Sequence, residues 1–148
     1  MYLGPPTKRN TYEAELIGAI LAVWLLRKCP DTVGKTVSLF IDNQAVLSSI
    51  TNPKATSRQF LSKHLNMLAN ASASRLGLHW ISSHSKVRGN EKVDELAKEA
   101  ANGLSNARLD LPHLLRTPLP SSASAVKQGY HERIKKKWAA SWEGSDRR

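Results

Sequence analysis

The sequence predicts an α/β domain, because two β-rich segments alternate with segments that have helical periodicity. The β-rich segments are KTVSLFID and RLGLHWIS, and each is preceded and followed by a helical segment. Parallel strands joined by crossover helices give this order along a chain. With 148 residues and a hydrophobic fraction of 41%, the chain is long and apolar enough for one folded domain with an appendage.

The first predicted helix follows residues 1–10, which contain Gly-Pro-Pro and are interpreted as a turn or the remnant of a strand. Thr11 is its candidate N-cap, and the helix should end near Lys28. Apolar residues cover most of its circumference, so burial on more than one side is expected. The apolar run from Leu16 to Leu26 is too short to span a bilayer of about 30 Å, so no membrane association is expected.

The middle of the chain carries both predicted strands. The first ends at Asp42 and leads into a short helical segment, NQAVLSSI, and a longer helix is predicted over SRQFLSKHLNMLANASAS. The second strand, RLGLHWIS, leads into a loop that contains His84. Asn90 is the candidate cap of the helix after this loop. The predicted apolar face of that helix consists of Val93, Leu96, Ala97, Ala100 and Ala101.

A folded domain is therefore predicted over residues 11–104, followed by a Pro-containing connector over residues 105–122. Residues 123–148 are predicted to form a basic amphipathic helix that includes three consecutive lysines. Its apolar positions recur every four residues, at Val126, Tyr130, Ile134, Trp138 and Trp142.

The charge of the chain favours a polyanionic partner. The formal net charge is +10 and the isoelectric point is about 10.1, and neutralising phosphates releases condensed counterions. Cys29 is the single cysteine, which excludes an internal disulfide and is typical of a reducing compartment. An intracellular location is expected, with nucleus and cytoplasm both open.

Candidate catalytic side chains cluster at the carboxyl ends of the predicted strands. Asp42 ends one strand and His84 follows the other, while Asp94 and Glu15 lie near the beginnings of helices that should pack at this edge. Carboxylates that converge repel one another unless a cation neutralises them, and hard oxygen ligands suit Mg²⁺ or Mn²⁺. Such ions could activate water against a phosphodiester, with His84 moving a proton.

Each of these residues also has a purely structural explanation. Glu15 would favour the N-terminal half of a helix dipole, and Asp42 would cap the helix that follows it. Asp94 would serve the dipole of its own helix or pair with Lys98. His84 would be an ordinary exposed loop histidine.

Three segments in this order resemble the motif blocks of type 1 ribonuclease H: TYEAELIGAILAV, LFIDNQAVLSSI and HWISSHSKVRGNEKVDELAKEA. The likeness is greatest to the ribonuclease H domains that follow reverse transcriptase in non-LTR retrotransposons. The matched residues are Glu15 and Leu16 in the first block, Asp42, Asn43, Gln44 and Ala45 in the second, and His84, Gly89, Asn90, Glu91, Asp94 and Ala97 in the third.

The resemblance implies a ribonuclease H-like fold that hydrolyses the RNA strand of an RNA–DNA hybrid with Mg²⁺ or Mn²⁺. Glu15, Asp42 and Asp94 would bind the metal ions, and His84 would assist product or proton release from a mobile loop. Glu13 is the competing helix carboxylate, but the Glu-Leu pattern favours Glu15. Candidate contacts to nucleic acid are Asn43, Gln44, Lys86, Arg88, Asn90, Arg133, Lys135, Lys136 and Lys137.

One feature of the family pattern is missing. The family carries a further Asp on its first, central strand, whereas this chain has no Asp before Asp31, which follows the first helix. The sequence is therefore expected to be an N-terminally truncated form of the fold, without its first strands and with an unpaired strand edge. The missing strands, or a reverse transcriptase polyprotein, are the partners expected at that edge. The alternative to an active hybrid ribonuclease is a catalytically incomplete retroelement remnant that only binds nucleic acid.

Overall fold

The computed structural model describes residues 1–5, 9–51, 59–82 and 87–144. Helices and strands alternate along the chain, which confirms the predicted α/β class. The elements are α1 (Thr11–Leu26), β1 (Thr36–Ile41), α2 (Gln44–Thr51), α3 (Gln59–Asn70), β2 (Arg75–Trp80), α4 (Arg88–Ala101) and α5 (Ala123–Glu143), with single 3-10 turns at Pro30–Thr32, Arg108–Asp110 and His113–Leu115. None of the helices over these ranges is both long enough and apolar enough to span a membrane.

The two strands pair in parallel, with Thr36 opposite Arg75 and Ile41 opposite Trp80. Their carboxyl ends therefore lie at the same edge of the sheet, as the sequence predicts. Within the described ranges no further strand joins them, so β1 has an open edge there. Parallel strands are normally covered on both sides, yet Phe40 on the outer face is 59% exposed.

The core forms around α1. Leu16 and Ile20 are fully buried in α1, and Leu61 and Leu65 of α3 pack into the same cluster. Burying an aliphatic side chain of this size stabilises the fold by roughly 1.5–3 kcal/mol. The buried residues of α1 share one broad face of the helix: Leu16, Ile17, Ala19, Ile20 and Val23. Gly18 and Leu25 on the opposite side are exposed, so the structure does not show the expected burial on more than one side.

The N-cap of α1 is Asn10, not Thr11. The Asn10 side-chain oxygen accepts a hydrogen bond from the backbone N–H of Glu13 at 2.9 Å. Asn and Thr both cap helices, but the helix begins one residue earlier than the pattern of apolar residues indicates. The helix also ends at Leu26, shortly before the expected end at Lys28.

Part of the Pro-containing connector, residues 105–122, packs on the core. Leu111 and Leu115 are 5% and 3% exposed and belong to the main hydrophobic cluster. The Trp24 indole N–H donates to the Asp110 carbonyl at 3.4 Å, and the Arg9 guanidinium donates to the carbonyls of residues 119 and 120. The segment therefore helps to stabilise the domain that precedes it.

The two C-terminal helices are largely exposed. The predicted apolar face of α4 is solvent-accessible, with Val93 63% and Leu96 51% exposed, and α4 buries no residue. Helix α5 buries Ala125 near its beginning. The five apolar side chains that recur every four residues along α5 are all at least 38% exposed: Val126, Tyr130, Ile134, Trp138 and Trp142.

Candidate active site at the carboxyl edge of the sheet

The structure brings together three carboxylates at the edge where the strands end. Asp42 directly follows β1, Glu15 lies on α1, and Asp94 lies on α4, all three partly buried. Burial raises the pKa of Glu15 above its usual value of 4.5, and the negative charges of Asp42 and Asp94 raise it further. Both neighbouring acids are therefore within electrostatic range of Glu15.

Asn43 links the end of β1 to α1 and α2. Its side-chain oxygen accepts hydrogen bonds from the backbone N–H groups of Ala45 at 2.9 Å and Val46 at 3.2 Å, which caps α2. A hydrogen bond from the same side chain to Glu15 opposes the other effects and lowers the pKa of that carboxyl. Since the oxygen faces α2, the amide nitrogen is the group able to donate to Glu15.

Asn43 performs the capping of α2 that the purely structural explanation assigns to Asp42. An Asn between a strand and a helix is a common capping signal. From the sequence, Asn43 is expected to contact nucleic acid. Spacing along the sequence does not specify that one amide both caps α2 and reaches a carboxylate on α1. Asn43 thus holds Glu15 near Asp42, which directly follows β1.

One oxygen of Glu15 lacks a polar partner. Its Oε2 atom is buried and accepts no hydrogen bond from the described residues. A buried carboxylate oxygen normally has a donor or a cation beside it, and the two acids nearby supply only more negative charge. The oxygen ligands at this edge have the chemistry that Mg²⁺ and Mn²⁺ prefer.

The three acids have suitable ligand chemistry for a metal ion, but they lie too far apart to hold one together. Within the described ranges, no three His, Cys, Asp or Glu side chains are close enough together to hold one metal ion. The carboxylates therefore influence one another electrostatically without forming a compact coordination shell. A cation bound here would have to draw them together or use water as additional ligands.

Helix α4 supplies Asp94 and two candidate contacts to nucleic acid. It begins at Arg88, and Val87 occupies the N-cap position without a side-chain hydrogen bond, so Asn90 is not the cap that the sequence predicts. Asn90 lies in the first turn, where its side-chain nitrogen is buried and donates to no described residue. Arg88 is exposed in the same turn.

Glu13, the competing carboxylate of α1, occupies a different environment from Glu15. It is 6% exposed, and its Oε2 atom also lacks a hydrogen-bond partner within the described ranges. The charges that raise the pKa of Glu15 are those of Asp42 and Asp94, and Glu13 is not among them. Glu15 is thus the α1 carboxylate that faces the other two acids.

The remaining candidate residues are distributed as follows. His84 and Lys86 lie outside the described residues, so their roles stay predictions. Gln44 is exposed at the start of α2. The four cationic candidates Arg133, Lys135, Lys136 and Lys137 are exposed on α5, in a different element from the carboxylates.

Comparison with known families gives one match: the sequence model of the RNase H family matches residues 4–102. The matched region includes both strands and helices α1 to α4, and thus all three carboxylates. It ends before residues 105–122 and α5. Neither the curated proteins nor the solved structures give a significant match.

Proposed function

Because the chain belongs to the RNase H family, we propose that it hydrolyses the RNA strand of RNA–DNA hybrids. The observation that carries this proposal is that Glu15, Asp42 and Asp94 meet at the carboxyl edge of the sheet. Burial raises the pKa of Glu15, and the charges of Asp42 and Asp94 raise it further. These acids come from three separate elements, and folding alone gains nothing from placing like charges together. A binding role for the cluster accounts for that cost.

We propose that Glu15, Asp42 and Asp94 hold divalent Mg²⁺ or Mn²⁺. When bound, such ions polarise a phosphodiester and lower the pKa of attacking water. Asn43 restrains Glu15 through its amide while it caps α2, which fixes the carboxylate relative to β1. His84 follows β2 in sequence and would transfer a proton near neutral pH.

The hybrid would bind along the edge that carries these acids. Arg88 supplies positive charge in the first turn of α4, and Asn43, Gln44 and Asn90 supply neutral hydrogen-bonding groups. Lys86 lies outside the described residues and stays a predicted contact from its position in the sequence. The net charge of +10 provides the general attraction to a polyanion. Phosphate contacts of this kind position a duplex without reading its sequence.

We also propose a partner for the open edge of β1. An exposed strand edge presents unpaired backbone N–H and C=O groups and accepts a further strand readily. The strand would come from a partner, such as a reverse transcriptase polyprotein. A strand added beside Asp42 would bring new side chains to the carboxyl edge of the sheet.

A second candidate function is nucleic-acid binding without cleavage, as expected of a retroelement remnant. One observation favours it: the described acids do not form a compact ligand set. A site with weakened metal affinity would retain its positive charge and its hybrid binding.

Cleavage of a labelled RNA–DNA hybrid by the folded chain in Mg²⁺ or Mn²⁺ separates the two functions. Asp42→Asn should lower the rate by more than about 100-fold, because loss of even an outer-shell partner of a metal costs 10- to 100-fold. Asp31→Asn is the matched control, since Asp31 is exposed in the turn at Pro30–Thr32 and the charge change is the same.

The outcomes of this experiment are distinct. Cleavage that is retained in Asp31→Asn and lost in Asp42→Asn supports the metal-dependent ribonuclease. A folded chain that binds hybrid and does not cut it supports the second function. Equal cleavage by all three proteins would contradict a role for Asp42. Thermal unfolding tests metal binding separately: a midpoint that Mg²⁺ raises in the original chain and not in Asp42→Asn would support metal binding by Asp42.

A further inference from the structure

Within the described ranges, the contacts of helix α5 with the domain lie near its beginning. Ser122 caps it by accepting a hydrogen bond from the Ala125 N–H, and the Asn10 side-chain amide donates to the Ser124 hydroxyl at 2.9 Å. Ala125 is 2% exposed. Residues 130–144 are all exposed, a stretch about 20 Å long in helical form. Most of α5 therefore contributes little burial to the fold.

The exposed part of α5 is strongly basic. The cations of α5 outnumber its two acids, Glu132 and Glu143. Within the described ranges, no cation of α5 has an ion-pair partner. The cations of the helix are Lys127, Arg133, Lys135, Lys136 and Lys137. Such a surface attracts phosphate-bearing polyanions.

Large aromatic side chains lie among these cations. Tyr130 is 57% exposed, Trp138 is 74% exposed and Trp142 is 67% exposed. Leaving such surfaces in water gains nothing for folding, and clustered exposed aromatic side chains are typical of binding surfaces. Aromatic rings between lysines are the combination that binds single-stranded nucleic acid, through base stacking and phosphate contacts.

The geometry of the apolar positions excludes a flat partner. A spacing of four residues advances about 40° beyond a full turn and about 6 Å along the axis, so the stripe from Val126 to Trp142 winds by about 160° around α5. Cations lie on either side of it along the helix. A helix that binds a membrane surface or a straight groove needs one continuous apolar face. A flexible strand can follow a winding stripe.

We propose that α5 is a second nucleic-acid site, which binds a single strand. Lys135, Lys136 and Lys137 neutralise its phosphates, and Trp138 and Trp142 stack on its bases. A second copy of the same helix is a poor partner, because the cations would repel one another. The site lies beyond residues 4–102, needs no metal ion, and does not depend on the proposed cleavage.

Binding of a fluorescein-labelled oligouridine 12-mer to the full chain, without divalent metal, tests the aromatic contribution. Trp138→Ala with Trp142→Ala should weaken binding by about fivefold or more, since stacking on one aromatic is worth roughly 1–3 kcal/mol. Leu109→Ala is the matched control, because Leu109 is 80% exposed outside α5. Circular dichroism verifies that α5 remains helical.

The salt dependence tests the cationic contribution. Each phosphate contact on a single strand contributes about 0.7 to the slope of log affinity against log salt, so the triple change to Gln at Lys135, Lys136 and Lys137 should reduce the slope by about 2. The matched control changes three exposed lysines outside α5 to Gln: Lys28, Lys35 and Lys63. Oligothymidine should behave as oligouridine does, since neither stacking nor phosphate contact reads the sugar.

The proposal is overturned if the α5 variants bind oligonucleotide as their controls do. It is also overturned if the Trp variants lose only binding to phosphatidylserine vesicles, or only self-association in sedimentation. Glu15→Gln separates this proposal from the proposed cleavage: it should stop cutting of hybrid and leave oligouridine binding unchanged.

Discussion

Helices α1 and α4 both carry apolar residues at helical spacing, but they differ in how far those residues are buried. In α1 one face of apolar residues is buried, with Leu16 and Ile20 at 0% exposure. In α4 Val93 and Leu96 remain 63% and 51% exposed. Helix α1 lies against α3 and β1, whereas no element covers the apolar face of α4 within the described ranges. Periodicity thus predicts a helix and its apolar side, but burial depends on a neighbour that periodicity does not supply.

The largest expected effect is a matched pair of truncations in the two helices. Ile20→Ala should lower the free energy of unfolding by about 2–5 kcal/mol, because a fully buried aliphatic group leaves a cavity. Leu96→Ala should change it by less than about 0.5 kcal/mol, as for other exposed positions. Urea unfolding of both variants measures the difference.

Similar losses in the two variants would contradict the comparison and show that α4 is covered in solution. In that case the unfolding midpoint of the original chain should rise with protein concentration if a second copy provides the cover.

A smaller effect is expected at the beginning of α1. Asn10→Ala removes the acceptor for the Glu13 N–H and the donor to Ser124, and should cost about 1 kcal/mol, within the range of 0.5–2 kcal/mol for lost caps. Thr11→Ala should cost little, because Thr11 is exposed in the first turn and Ala favours helix. Thermal unfolding of both variants distinguishes them, and a larger loss in Thr11→Ala would assign the cap to Thr11 instead.

The caps show where sequence-based inference ends. Asn10 and Thr11 are both good capping residues, and only the backbone geometry of the first turn selects between them. At α4 the sequence offers Asn90, yet the N-cap is Val87, three residues earlier, and Val87 has no capping side chain. Adjacent polar residues make a helix start predictable to within a turn and no more closely.

The candidate site was more predictable than the packing around it. Parallel strands end at one edge, so the position of Asp42 followed from the fold class, and the helices beside it placed Glu15 and Asp94 within electrostatic range. The link through Asn43 depends on where an amide lies between two helices, which spacing does not specify. The burial of Leu111 and Leu115 was equally hidden, since a Pro-containing segment gives no periodic signal.

The smallest expected effect concerns the charge of Glu15, which joins the two regions because Asp94 belongs to α4. The pKa of Glu15 is raised in the folded chain by burial, then by Asp42 and Asp94, against the Asn43 hydrogen bond. The folded state therefore binds a proton more tightly than the unfolded state does. In metal-free buffer this contribution to stability is present below pH 4.5 and is lost as the pH rises through the raised pKa.

Glu15→Gln should therefore be more stable than the original chain at pH 7. The difference in stability should shrink as the pH falls through the raised pKa of Glu15 towards pH 4.5. The gain should be smaller than the cost of the lost cap, since solvent screens a partly exposed carboxylate. Asp94→Asn should shift the pKa of Glu15 downward, measured by NMR titration, while Asp31→Asn leaves it unchanged. If Asp94→Asn also leaves it unchanged, α4 does not approach α1 in solution, and the three acids cannot act on one phosphate.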